Sequence, residues 1–167
     1  MGTASEPEPA EDPHDLHRFV RAQANDHERA LSEIRGGRKR THWMWYIFPQ
    51  FQGLGSSSMS RRFSIKSVAE ARAYVGHLIL EPRLTACAEA VVGVEGRSAI
   101  EIIGSPDDLK LRSCATLFAR VSPAGSVFDR LLNRYFQGRP DLATLRLLDA
   151  TSTADGRNDT TPDDAQG

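Results

Sequence analysis

The sequence predicts an all-α fold, a compact single-domain bundle of about seven or eight short helices between two disordered acidic tails. Three observations carry this. Apolar residues recur at helical spacing, prolines and serines stand repeatedly where helices begin, and no alternating strand pair or Asn-Gly hairpin breaks the pattern.

The elements follow in order. Leu16, Phe19, Val20, Gln23, Leu31 and Ile34 line one face of a first amphipathic helix, with Gly36-Gly37 as its stop. The run His42-Trp43-Met44-Trp45-Tyr46-Ile47-Phe48 is aromatic enough for a strand, but a lone strand has no partner, so a short buried helix is expected, ended by Pro49. Further helices are expected over 68–79, 82–93, 99–103, 106–119, 124–137 and 141–148, with Gly104 and Gly138 closing two of them. Ser67-x-x-Glu70 and Ser98-x-x-Glu101 have capping-box spacing, in which each side chain satisfies the other residue's free backbone donor. Prolines 13, 82, 106, 123 and 140 stand where a first helical turn tolerates them.

Residues 1–12 and 149–167 have almost nothing to bury and are expected to be disordered, leaving 13–148 as the domain. The composition, 40% hydrophobic and 26% charged over 167 residues, suits one domain with a real core. Cys87 and Cys114 lie in apolar stretches without CxxC spacing, so they read as reduced and buried. No apolar run is long enough for a bilayer and the acidic start does not resemble a signal peptide, so the expectation is cytoplasmic, without membrane contact. Histidines 14, 17, 27 and 77 lack a carboxylate cluster to complete a metal site, so no metal and no cofactor is expected.

The formal net charge of -1 conceals a division of charge. Setting aside residues 1–15 and 149–167 leaves 20 basic against 12 acidic residues, a net of +8. A basic body between acidic ends favours an anionic partner. The positive charge is densest from Arg35 to Lys66, which holds seven basic residues, no acid and both tryptophans. Lys39, Arg61 and Arg62 are candidates to meet phosphate, Trp43 and Trp45 to stack on a base, and Gln50 to add a polar contact. Arg83 and Lys110 join this ligand-binding set as single cations outside the segment. The Gly53-Leu54-Gly55 stretch and Ser56, Ser57 and Ser58 allow a loop that approaches a ligand closely, but they lack the Gly-Lys-Ser/Thr of a phosphate loop.

For catalysis the candidates are His42, the only histidine in the segment, and the carboxylates Glu70 and Asp108, with Asp107 weighed beside them. Each has a structural reading as well. A histidine beside Trp is commonly structural, Glu70 can finish a capping box, and Asp107 and Asp108 suit the first turn of a helix. No Gly-x-Ser-x-Gly elbow is present.

The pattern Lys39-x-x-His42-Trp43-Met44-Trp45-x-x-Phe48-Pro49-Gln50-x-x-Gly53-Leu54-Gly55 resembles the hallmark of domain-of-unknown-function family 1810, found in bacteria and fungi. The likeness continues through Glu70-Ala71-x-x-Tyr74, Arg83-Leu84, Asp108-x-Lys110-Leu111 and Thr116-Leu117-Phe118. It implies a small all-helical fold and brings no established activity. Its members are sometimes labelled calpastatin, but an inhibitor of that kind is a long disordered repeat protein, and the label implies nothing for this chain. The chain departs from the pattern at Gly76 to Pro82 and at Ser113-Cys114-Ala115-Thr116, without loss of a charged group. A fainter resemblance, to the helical NADAR proteins that act on N-glycosidic bonds of nucleotide-like compounds, rests on no alignable motif and guides only the class of ligand.

The resulting expectation is a domain that binds an anionic nucleotide or ADP-ribose-like molecule, with hydrolysis as its enzymatic form, Glu70 or Asp108 activating water and His42 assisting. The alternative is a non-enzymatic protein-interaction module governed by the basic body and acidic ends. Nucleic-acid binding ranks last, since no recognition motif is present and the acidic ends oppose it.

Overall fold

In the computed structural model, residues 11–157 are described, with side chains through Thr151. Within them ten helices follow one another: α1 (His17–Gln23), α2 (His27–Arg35), α3 (Met44–Ile47), α4 (Ser58–Arg62), α5 (Val68–Val75), α6 (Leu80–Gly93), α7 (Ala99–Ile103), α8 (Asp107–Arg120), α9 (Val127–Phe136) and α10 (Leu142–Arg157). The all-helical class agrees with the periodicity, and the count exceeds the seven or eight expected for two physical reasons. The first amphipathic stretch is broken at Ala24-Asn25-Asp26, where Asp26 leaves the helical ladder and accepts the Tyr46 hydroxyl. The serine run, read as loop, forms α4 because the Ser57 side chain accepts from the Ser60 amide at 3.1 Å and caps a helical turn.

Other ends shift by a few residues. Gly76 stops α5 early, α9 begins only at Val127 behind Ser126, and α10 continues past the expected end at 148 to Arg157. Residues 149–157, read as tail, therefore extend a helix, and the Thr151 hydroxyl donates back to the Leu147 carbonyl at 2.8 Å. The outer parts of the two expected tails lie outside the described residues.

Helix α8 is buried around most of its circumference, through Leu111, Cys114, Ala115, Leu117 and Phe118, and packs against α5, α7, α9 and α10. Helix α6 covers the next layer, against α2, α5 and α9, while α1 packs on α3. Aromatic rings run through the interior from Phe63 to Phe19, Tyr74, Phe118 and Phe128, each pair 5.1–5.8 Å between centroids. Both cysteines are buried and free, and burial pushes the Cys87 thiol up to about 12 and raises that of Cys114. Such thiols are inert at neutral pH. No helix among the described residues is long and apolar enough to cross a membrane.

One non-helical contact positions the site. Phe51 and Ile65 form an isolated parallel bridge, with the Gln52 amide donating to the Ile65 carbonyl at 2.9 Å and the Ile65 amide to the Gln50 carbonyl at 2.8 Å. It pins the two ends of the glycine- and serine-rich loop together.

Candidate ligand cavity

A cavity of about 530 Å³ opens where α3, the pinned loop and α4 meet. Met44, Trp45, Phe48, Phe51 and Phe63 supply its apolar wall; Gln50, Gln52, Ser60 and Ser64 supply neutral polar groups. Its charged lining residues are Arg61, Lys66 and Lys110, and no Asp, Glu or His lines it among the described residues.

Local rules build this wall. Trp43 and Trp45 are two residues apart at the start of α3, so they point to opposite sides of the chain. Trp43 is 0% exposed and donates its indole N–H to Glu33 Oε1 at 3.0 Å, whereas Trp45 is half-buried and lines the cavity. Gly53 adopts a left-handed φ of +97°, and Gly55 faces Ser60 so closely that an added Cβ would stand 2.6 Å from the serine Oγ. The second glycine is thus demanded by the chain's own packing, with Ser60 held at the cavity edge.

Two features missing from the sequence reading hold the far wall. Arg18, only 8% exposed, uses all five of its guanidinium N–H groups. They reach the Arg62 carbonyl (2.9 Å), the His14 (2.7 Å) and Asp15 (2.9 Å) carbonyls, the Ser64 carbonyl (2.9 Å) and Glu70 Oε2 (3.1 Å). It ties α1 to residues 62–64 and to α5. The second is Glu33 on α2, whose carboxylate accepts from the Arg40 amide (2.7 Å), the Thr41 amide (2.9 Å) and hydroxyl (2.7 Å), and the Trp43 indole. Partial burial opposes its ionisation, but these bonds prevail and hold the carboxyl at about 2. No pattern in the sequence marks either residue, because their partners are chiefly backbone groups brought in by folding.

The residues singled out in the sequence divide clearly. Trp45, Gln50, Arg61 and Lys110 line the cavity. Lys110 Nζ lies 5.9 Å from the Trp45 ring centroid and 3.4 Å from Asp107 Oδ1, which steadies the ammonium at the rim. Lys39, its side chain 8% exposed, points inward to the other oxygen of Asp107 at 3.2 Å and lies over the buried Trp43 ring. Asp107 therefore joins two lysines. Arg62 is exposed on the neighbouring hollow, stacked on Phe63. Arg83 lies on α6, outside the cavity lining, with a buried Nη1 that has no hydrogen-bond partner among the described residues.

The three catalytic candidates are not brought together at the cavity. His42 is exposed, and it is its backbone carbonyl that meets Tyr46. Glu70 is buried against Arg18, and its Oε2 also accepts from the Lys66 amide at 3.3 Å instead of closing the expected capping box with Ser67. The Ser67 half of that box is present, and the Ser98–Glu101 box is complete. Asp108 is buried at the start of α8, with Oδ1 lacking a partner among the described residues. No group of three or more His, Cys, Asp or Glu suited to a metal ion occurs among the described residues.

No curated protein matches the chain. Among solved structures, the conserved hypothetical protein Rv1873 of Mycobacterium tuberculosis is 51% identical, with a TM-score of 0.81. That alignment covers 83% of this chain and 99% of the other. The same architecture is thus present in a relative whose described identity carries no activity. A family model, described as Protein of unknown function (DUF1810), matches residues 13–148. With its Lys39 to Gly55 pattern folded into α3 and the cavity loop, the chain belongs to the DUF1810 family.

Proposed function

We propose that the protein binds an anionic, nucleotide-like small molecule in the cavity between α3 and α4. The observation that carries this reading is the sign of the lining: Arg61, Lys66 and Lys110 accompany a wall of Trp45, Phe48, Phe51 and Phe63, with no carboxylate lining it among the described residues. An aromatic ring gains contact area and stacking from such a wall, and an anionic substituent gains charge-assisted hydrogen bonds from the rim. Gln50, Ser60 and Ser64 add neutral groups able to orient ring heteroatoms. The reading is one of binding, because the described lining supplies stacking surface, donors and positive charge.

The two tryptophans provide the test. Trp43 is sealed in the core, so ligand-dependent quenching reports Trp45. Titration with adenosine, AMP and inorganic phosphate is expected to quench fluorescence with the aromatic ligands, most strongly with AMP, and the Trp45→Phe variant loses the signal. Lys110→Met weakens AMP by about tenfold while leaving adenosine nearly unchanged. Absence of quenching and of any thermal shift with every aromatic phosphate at millimolar concentration overturns the proposal.

A further inference from the structure

On the other side of the Arg61–Lys66 strip lies a second hollow of about 500 Å³, between that strip and the start of α1. Five cations line it, Arg18, Arg21, Arg61, Arg62 and Lys66, against two carboxylates, Asp15 and Glu70. Glu70 is already engaged by Arg18, while Arg21, Arg61 and Arg62 make no side-chain ion pair among the described residues. Arg61 and Lys66 line both hollows, so the strip is a shared ridge and not a barrier between unrelated surfaces.

The backbone carbonyls along the ridge are engaged by the chain itself. The Arg61 carbonyl accepts Lys66 Nζ at 2.6 Å and the Ser64 hydroxyl at 3.0 Å, and the Arg62 and Ser64 carbonyls accept Arg18. A ligand crossing it meets the exposed guanidinium groups of Arg61 and Arg62, while the Lys66 ammonium is turned to the Arg61 carbonyl and to the Ser64 carbonyl and hydroxyl. Burial first, and the Arg18 charge second, lower the Lys66 ammonium from its ordinary value, against the opposing pull of Glu70.

We propose that the hollow beside α1 is the phosphate half of a single bipartite site: the ligand is a nucleoside di- or triphosphate whose ring lies in the aromatic cavity and whose terminal phosphates cross the ridge onto Arg21 and Arg62. This rests on the cavity reading above and adds the number and path of the phosphates. Guanidinium groups suit the task, because their forked donors pair with two phosphate oxygens at once. Side-chain replacement at these two exposed positions leaves the backbone carbonyl of Arg62 bound to Arg18.

The experiment compares adenosine, AMP, ADP, ATP and tripolyphosphate by calorimetric titration on the whole protein and on the Arg21→Ala/Arg62→Ala double variant, with melting curves as the folding control. Affinity is expected to rise from AMP to ATP. The double variant should bind ATP at least about tenfold more weakly, AMP within about threefold and adenosine unchanged. Tripolyphosphate should displace ATP and leave bound adenosine in place. Equal affinity for AMP and ATP, or unaltered ATP binding by the double variant, overturns this inference and leaves the cavity reading standing. Binding of tripolyphosphate with none of adenosine or AMP overturns both, because the ring half then has no occupant.

Discussion

Trp43 and Trp45 are chemically identical and only two positions apart, yet one is a core residue with a carboxylate on its indole and the other a cavity wall. The direction of each side chain around a short helix makes the difference, and sequence composition weights both equally. Glu33 shows the same limit from the other side. A lone acid on an amphipathic helix, it becomes the acceptor for four donors between residues 40 and 43. Because its carboxyl is held at about 2, below its ordinary value, the stabilisation it gives is fully present above about pH 4.5 and is lost as pH falls toward 2. Glu33→Gln is expected to cost about 2 kcal/mol at neutral pH. Urea unfolding at pH 7 and pH 3 checks this: the gap between wild type and variant should shrink on acidification, and a gap independent of pH contradicts the charge argument. His42, by contrast, is fully legible in the sequence as an unusual residue, but the structure leaves it exposed and outside the cavity. Rarity within a motif marks a position without telling which way it faces.

Elements were more legible than their tertiary attachments. Ser98 and Glu101 satisfy each other at the start of α7 as their spacing requires, and Ser67 caps α5. Glu70 breaks the analogy because a buried guanidinium competes for it, and a charge-assisted pair outweighs one more local backbone bond. The break between α1 and α2 escaped periodicity for a related reason. Gln23 on the last turn donates to the Tyr46 carbonyl at 2.7 Å and the Tyr74 hydroxyl at 3.0 Å, and Asp26 takes the Tyr46 hydroxyl, so the corner is fixed by distant partners. The strongest such attachment is Arg18, through which α1 holds the cavity's far wall. Arg18→Met is expected to destabilise by about 3–5 kcal/mol, since it leaves Glu70 buried without its counter-charge, and adding Glu70→Leu should recover part of the loss. Denaturant midpoints of the single and double variants measure it. An equal or greater loss in the double variant contradicts an ion-pair origin.

For the whole molecule, the all-α class was readable because helix periodicity, caps and breakers agree along the chain. The cavity was not, since its walls join residues 44–66 to Lys110 through packing around α8 and through the bridge between Phe51 and Ile65. Of its lining, Trp45, Gln50, Arg61 and Lys110 were among the residues singled out in the sequence, whereas Phe48, Phe51, Phe63 and Lys66 were not singled out as ligand-facing. The net positive body finds its clearest expression at the ridge, where cations from α1 and the loop converge.

The bridge between Phe51 and Ile65 also separates two kinds of evolutionary freedom. Residues 52–64 form a lariat tied at its neck; Arg18 and the buried Phe63 hold its far end, so length can drift at the exposed tip, residues 56–58, while the knot and the helices behind it stay in register. Lengthening a tied segment is thermodynamically mild, about 0.6 kcal/mol for each doubling. Two extra residues after Ser56 should therefore lower Tm by less than about 3 °C while changing which ligands are admitted. Scanning calorimetry with a ligand panel tests this, and a large drop in Tm would mean that the lariat's contents, and not its knot, set the stability. Under the proposed binding, selectivity at the mouth can then diversify without renegotiating the core.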